Sequence, residues 1–245
     1  MHTNSKLIYE GKAKQIFAIN DPNQVLIKFK DDATAFNAAK KAKFKGKGIL
    51  NCSISTNIFE YLMANGIPTH FIRRDGDSSI IAQKINIIPI EVVLRNTAYG
   101  SICKQTNLIP GTKLKKPLID FYFKNDILND PLLTRERIKL MEILKDEDLN
   151  FIEQLTYKIN TILKDFFLNI ELDLIDFKLE FGLNKNNEII LGDEFSPDNC
   201  RLWDMKTQNV NIKSLDKDRF RNDLGDLIEA YTEINKRIDH FMSSP

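Results

Sequence analysis

The chain has 245 residues, 35 basic against 34 acidic side chains, a formal net charge of +1 and 42% hydrophobic content. That is enough chain for one large domain or two lobes around a cleft, and the balanced charge gives no electrostatic case for a nucleic-acid or membrane-surface protein. Three scattered cysteines (Cys52, Cys103, Cys200) and three histidines argue against a disulfide framework, a zinc site or Ser-His-Asp chemistry. With no signal core and no membrane-length apolar run of ~20 residues, a reducing cytoplasm is the expected setting.

Leu7 to Asn20 reads as two short strands around Gly11. Lys12 and Lys14 are two apart, so an extended backbone would point both ammonium groups the same way, toward an anion or simply toward solvent. Val25 to Lys30 is a further strand after an Asp21-Pro22-Asn23 turn, extending an antiparallel sheet. Residues 31–48 are the least regular stretch of the first half, ending in the lysine run Lys40 to Lys47. Ile49 to Ala64 has helical spacing, with Ile54, Ile58, Tyr61 and Leu62 on one stripe and Asn65-Gly66 as its stop.

Thr69 to Arg74 and Ser79 to Ile88 read as a strand pair around Asp75-Gly76-Asp77, with Pro89 limiting the backbone beyond. In Glu91 to Lys104, Arg95 offers a planar fork of donors suited to phosphate oxygens, and Gly100-Ser101 a close backbone approach with a hydroxyl. A surface arginine and a turn serine are the plainer alternative. Leu118 to Lys124 is a strand among turns. Thr134 can cap a helix running through Leu144. Asp146 opens a longer helix whose Leu149, Ile152, Leu155, Ile159, Ile162, Leu163 and Phe166 make a core stripe.

From Leu174 the pattern changes to strict alternation. Ile175, Phe177, Leu179 and Phe181 share one parity, Asp176, Lys178 and Glu180 the other, as in a strand with one apolar and one charged face. If Asn186-Asn187 is a two-residue hairpin loop, Lys185 pairs with Glu188 and Glu180 lies opposite Asp193. Opposed carboxylates repel, and Mg2+, which accepts one or two carboxylates plus water and phosphate oxygens, would remove the penalty. The alternative is a charged, solvent-facing strand edge with the register off by one. The segment from Leu215 to Phe241 reads as one last helix with Phe220, Leu224, Leu227, Ile228, Tyr231, Ile234 and Ile238 on a face. No Walker or GxGxxG motif occurs, so phosphate binding would rest on lysines, arginines and metal.

The segments LIDFKLEFG and GDEFSPDNCRLWD, with GKAK and EVVLRNTAYGS, resemble the signature segments of SAICAR synthetases from about Lys6 to Phe241. The resemblance implies an α+β, two-lobed fold, with a small antiparallel β N-lobe (1–87), a larger α+β C-lobe (88–245) and an ATP cleft between them. It implies a ligase that uses ATP and Mg2+ to join L-aspartate to carboxyaminoimidazole ribonucleotide (CAIR), in a homo-oligomer, by family likeness a dimer. By the same likeness, Glu180 and Asp193 hold Mg2+ and, with Lys178, are catalytic. Gly11, Lys12, Lys14, Lys84 and Ile87 bind ATP, the last two through backbone groups at the adenine. Arg95, Ser101, Asp176, Lys178, Arg201 and Arg221 face the imidazole nucleotide, and Asn37 and Lys47 belong to a loop near the reaction centre. A kinase-like phosphotransferase and a non-catalytic nucleotide-binding module are the competing readings.

Overall fold

The computed structural model describes residues 6–35 and 40–243. Alternating apolar residues in the first third build an antiparallel sheet from five strands: β1 (Lys6–Glu10), β2 (Lys14–Ala18), β3 (Gln24–Phe29), β6 (Phe71–Arg74) and β7 (Ser79–Gln83), ordered β1-β2-β3-β7-β6. Residues 31–48, expected to be irregular, contain a hairpin of β4 (Asp32–Ala35) and β5 (Lys40–Lys43). Asn37 falls outside the described residues.

Helix α1 (Lys47–Ala64) follows, stopped at Gly66, whose φ of 74° needs no Cβ penalty. It is buried on more than the one expected stripe, because it packs against β3, β6 and β7 as well as the last helix. At its start Gly48 meets β3 so closely that a Cβ would lie 2.7 Å from the Phe29 carbonyl oxygen. Neither backbone can yield cheaply, so Gly48→Ala should cost about 1–3 kcal/mol, the range for overpacking. Chemical denaturation checks this; an unchanged midpoint would mean that helix and strand can separate.

The second sheet is built from β8 (Asn86–Thr97), β9 (Lys113–Phe123), β10 (Leu132–Leu133), β11 (Leu172–Leu183), β12 (Ile189–Leu191) and β13 (Cys200–Asp204). Its order is β10-β9-β8-β11-β12, with β13 also pairing β11. The expected strand Ser79–Ile88 is thus two strands in two sheets, and β8 spans the expected division at 87/88. Between β8 and β9 lies the short helix α2 (Ser101–Gln105). Helix α3 (Arg135–Leu140) is capped by the Thr134 hydroxyl, which accepts from Arg137 N at 3.2 Å, and ends earlier than expected, with Glu142 at φ 53°.

Helix α4 (Asp146–Asn169) lays its stripe on β11 and β8, with Leu149, Ile152, Leu155, Ile159, Leu163 and Phe166 buried. The final apolar pattern is not one helix. After α5 (Val210–Lys213) and α6 (Asp218–Arg221), positive φ angles at Asp223, Gly225 and Asp226 break the chain before α7 (Leu227–Ser243). Among the described residues no helix is long and apolar enough to cross a membrane.

The hairpin of β11 and β12 corrects the expected register. Phe181 pairs with Leu191 and Leu183 with Ile189, so Glu180 is opposite Gly192, not Asp193. The cause is loop length. Asn184 N–H bonds the Glu188 carbonyl at 3.0 Å, and Asn187 takes the left-handed conformation at φ 59°, which makes a three-residue loop, 185–187. The alternating acids of β11 do not face open solvent either: Asp176 is 3% and Glu180 2% exposed.

Candidate functional site

Buried acids must be paired, and their partners trace a cleft. Two adjoining cavities, of about 510 and 860 Å³, share a wall made of Lys12, Thr34, Glu91, Asp130, Lys178, Asp198, Asn199 and Lys217. The larger opens between the two sheets. Gly11, Lys14, Lys84, Ile87, Glu180 and Asp193 line it; Arg95, Ser101, Asp176, Arg201 and Arg221 line the smaller, and Lys12 and Lys178 both. Although Glu180 and Asp193 are out of register, both reach the larger cavity. Asp193 sits just past β12 at φ 59°, a left-handed conformation that Asp tolerates.

In the larger cavity each carboxylate meets lysine. Lys14 bonds Asp193 and reaches Glu194 at 2.9 Å; Lys124 bonds Glu180. Lys178 spans Glu180 at 2.6 Å and Glu91 at 2.9 Å. Burial alone would raise Asp193, but Lys14, Lys178 and Lys124 outweigh it and hold the carboxyl well below the usual carboxylate range. Burial likewise opposes the charge on Lys178, and Glu180, Asp193 and Glu91 reverse that, keeping the ammonium protonated. Residues 12 and 13 form a bend rather than an extended strand, and Lys12 pairs with Asp126 at 2.6 Å near the cavity mouth. The N–H of Lys84 is already used, donating to the Asn23 carbonyl at 2.8 Å, so that group is not free to read a base.

His70 is buried against Phe59 and lines the larger cavity, with Nε2 unpartnered. Burial lowers its pKa from 6.5 to about 4. The unfolded chain therefore takes up this proton below pH 6.5 while the fold resists it to about pH 4, so stability is lost as pH falls through that window. The difference in unfolding free energy between the parent and His70→Gln should change by on the order of 3 kcal/mol between pH 7 and 4. Parallel denaturation curves at both pH values would exclude it.

The smaller cavity is an arginine pocket. Arg95, 3% exposed, donates through Nε to Asp120 at 3.0 Å, through Nη1 to Asp176 at 3.2 Å, and through Nη2 to the Ser101 hydroxyl at 2.9 Å and to Tyr122 at 3.3 Å. Arg201 Nη1 donates to both Asp176 oxygens at 3.0 and 2.8 Å. Its guanidinium lies over Gly100, where a Cβ would come within 2.8 Å of Nη2, and Gly100 at φ 71° suits glycine twice over. The acids on Arg95 and Arg201 overcome burial and keep both charged. Cys200 also lines this cavity, but burial and then Asp216 and Asp176 push its thiol up, away from nucleophile chemistry.

Lys47 lies elsewhere than the cavity surface: fully buried at the start of α1, it pairs with Asp198 at 2.5 Å, and Tyr231 donates to the same carboxylate at 2.8 Å. Sequence reasoning missed Lys124, Glu194, Asp120 and Tyr122. Each is placed by strand pairing or a long-range ion pair, and no local spacing marks it.

A cleft with a lysine-acid cluster on one side and an arginine pocket on the other now stands beside known proteins. The family model described as SAICAR synthetase matches residues 7–238. The chain belongs to the SAICAR synthetase family. Its relatives in that family include the phosphoribosylaminoimidazole-succinocarboxamide synthase of Prochlorococcus marinus subsp. pastoris, 66% identical over 242 residues, 99% of this chain and 100% of that one. The enzyme of that name from Nostoc punctiforme is 50% identical over 238 residues, covering 97% of each chain. Among solved SAICAR synthetase structures, that from Ehrlichia chaffeensis superposes with a TM-score of 0.92 at 45% identity, covering 96% of this chain and 98% of the other. A SAICAR synthetase in complex with ADP gives 0.90 at 47% identity, covering 94% and 96%. The two-lobed α+β architecture expected of the family is thus the fold of this chain.

Proposed function

We propose that this chain is the ATP-dependent carbon–nitrogen ligase that joins L-aspartate to the carboxylate of CAIR, yielding SAICAR, ADP and phosphate through an acyl phosphate, in purine biosynthesis. The observation that carries the reading is the common wall of the two cavities, at which a polyphosphate in one and an anionic imidazole nucleotide in the other would meet. The names of the relatives and the ADP bound to one of them support the same assignment.

The chemistry follows from charge. A carboxylate resists an amine because oxide leaves poorly; phosphorylation gives it a leaving group. Phosphoryl transfer needs positioning and neutralisation more than covalent help from the protein. Lys12, Lys14, Lys124 and Lys178 would neutralise the phosphates, with Gly11 allowing close approach and Lys84 and Ile87 bordering the base. Arg95, Ser101, Asp176, Arg201 and Arg221 would hold CAIR with its carboxylate toward Lys178. Lys14, Lys124 and Lys178 neutralise Glu180 and Asp193 here; with those ammonium groups turned to the phosphates, the two carboxylates would be the donors for Mg2+. Glu180 and Asp193 would hold that ion, whose charge would help neutralise the transferring phosphoryl group.

Residues 1–87 would form the nucleotide lobe and 88–245 the lobe carrying metal and imidazole sites, with β8 running across the division between them. A cytoplasmic homodimer is the assembly we infer. The test is omission. With ATP, CAIR and L-aspartate together, phosphate should be released at a rate that drops to background when any one is withheld. Steady ADP production without aspartate, leaving a stable phosphorylated acceptor, would instead make the chain a phosphotransferase.

A further inference from the structure

We propose that Asp218 is a positioning residue that aims Arg201 and Arg221 together at one anionic ligand in the smaller cavity; this rests on the assignment of that cavity to the imidazole nucleotide. Each carboxylate oxygen serves a different guanidinium. Oδ2 accepts from Arg201 Nε at 2.7 Å, and Oδ1 accepts from Arg221 Nη1. The Asp218 side chain is 4% exposed, so it does not itself face a ligand, whereas both arginines line the cavity. With Nε of Arg201 on Asp218 and its Nη1 on Asp176, the rotations of that guanidinium are fixed from two sides. A planar fork held this way meets an oxyanion without first losing rotamer freedom.

Asp218 is in turn held in place. Its own N–H donates to Asp216 Oδ1 at 2.8 Å. The other oxygen of Asp216 accepts from Leu202 N at 3.0 Å and from the Ser214 hydroxyl at 3.1 Å. Leu215 N–H bonds the Leu202 carbonyl at 3.0 Å, and Lys217 N–H the Pro197 carbonyl at 3.0 Å. The short segment before α6 is therefore stapled to β13, the strand that carries Arg201, so the two arginines and their shared acid move as one body.

The sign of the effect separates positioning from plain charge. A carboxylate next to an anion site repels the anion, so if Asp218 were only a charge, Asp218→Asn would tighten CAIR binding. If it aims the arginines, the same variant weakens binding. We expect Asp218→Asn to raise the KM for CAIR roughly 10- to 100-fold, as for loss of one or two charge-assisted hydrogen bonds. The KM for ATP should stay within about twofold and kcat within about threefold, a split that general damage to the fold would not produce. Asp218→Glu keeps the charge balance and displaces the carboxylate by one methylene; it should fold and also raise the CAIR KM. In an Arg201→Met/Arg221→Met background, adding Asp218→Asn should have no further effect on that KM.

An unchanged or lowered CAIR KM in both Asp218 variants, or a further rise in the double-arginine background, overturns the proposal. If Arg201→Met and Arg221→Met themselves leave the CAIR KM unchanged, the assignment of the cavity fails first and the proposal with it.

Discussion

Asp193→Asn and Glu180→Gln are each expected to lower kcat by about two to four orders of magnitude while the protein stays folded. The range follows from what preorganised electrostatic groups contribute when a single one is removed, about 10²–10³, with more where a metal ligand is lost too. The fold should survive because neither side chain holds the core. Both sit at a cavity wall, and each change leaves an amide that still accepts a hydrogen bond from the neighbouring lysine. The two variants should also behave alike in one further respect: raising Mg2+ should recover part of the loss, because the remaining carboxylate and the phosphates still offer ligands. Because Lys14, Lys178 and Lys124 keep Asp193 ionised far below neutrality, the parent's activity should not titrate through this group between pH 5 and 9. Steady-state rates across a Mg2+ series, with circular dichroism as the folding control, decide the matter. Full activity of both variants at ordinary Mg2+ would remove these residues from the reaction centre.

What the sequence made legible was whatever depends on neighbours in the chain. The apolar stripe of α4 became a buried face, Thr134 became a cap, and the charged parity of β11 became the floor of a cleft. Contacts set by distant partners were not legible. The β11–β12 register turned on whether two or three residues made the loop, and Asn186 and Asn187 are both plausible at its left-handed position; the conformation of Asn187 shifted the pairing by one. The apolar spacing of residues 220–238 continues through Gly225, but the chain breaks there because Asp223, Gly225 and Asp226 adopt positive φ. Lys124 and Asp218 show the same limit at the site. Their importance lies in ion pairs to Glu180 and Arg201, set by the pairing of β9, β8 and β11 and by the return of the chain to β13, so no local pattern announces them. Lys47 is the converse case: likeness puts it near the reaction, and it lies buried against Asp198, which itself lines the cavity.

Arg95→Met should reduce kcat/KM for CAIR by about 10²–10³ and leave the KM for ATP nearly untouched. A phosphate would have to draw the Nη2 donors of Arg95 away from Ser101 and Tyr122, and each charge-assisted hydrogen bond then lost to it is worth ~1.5–3 kcal/mol. The effect on stability should be smaller than for most buried arginines. Removing one partner of a buried ion pair usually costs about 3–5 kcal/mol because the other charge is stranded. Here Asp176 keeps Arg201 on both its oxygens, and Asp120 is the one acid whose hydrogen bond from Arg95 would be lost without replacement. Arg95→Lys separates charge from geometry. It restores a positive charge but cannot span Asp120, Asp176, Ser101 and Tyr122 as the planar fork does, so it should recover no more than about tenfold of the loss. Ser101→Ala should be milder, because the hydroxyl accepts from Arg95 and its loss leaves the guanidinium its carboxylate anchors. The ordering Arg95→Met, then Arg95→Lys, then Ser101→Ala in CAIR kcat/KM, against a constant ATP KM, is what a divided cleft with two separately built anion sites requires. If ATP and CAIR parameters fell together in the Arg95 variants, the two cavities would be acting as one site, and the assignment of a separate nucleotide to each would be lost.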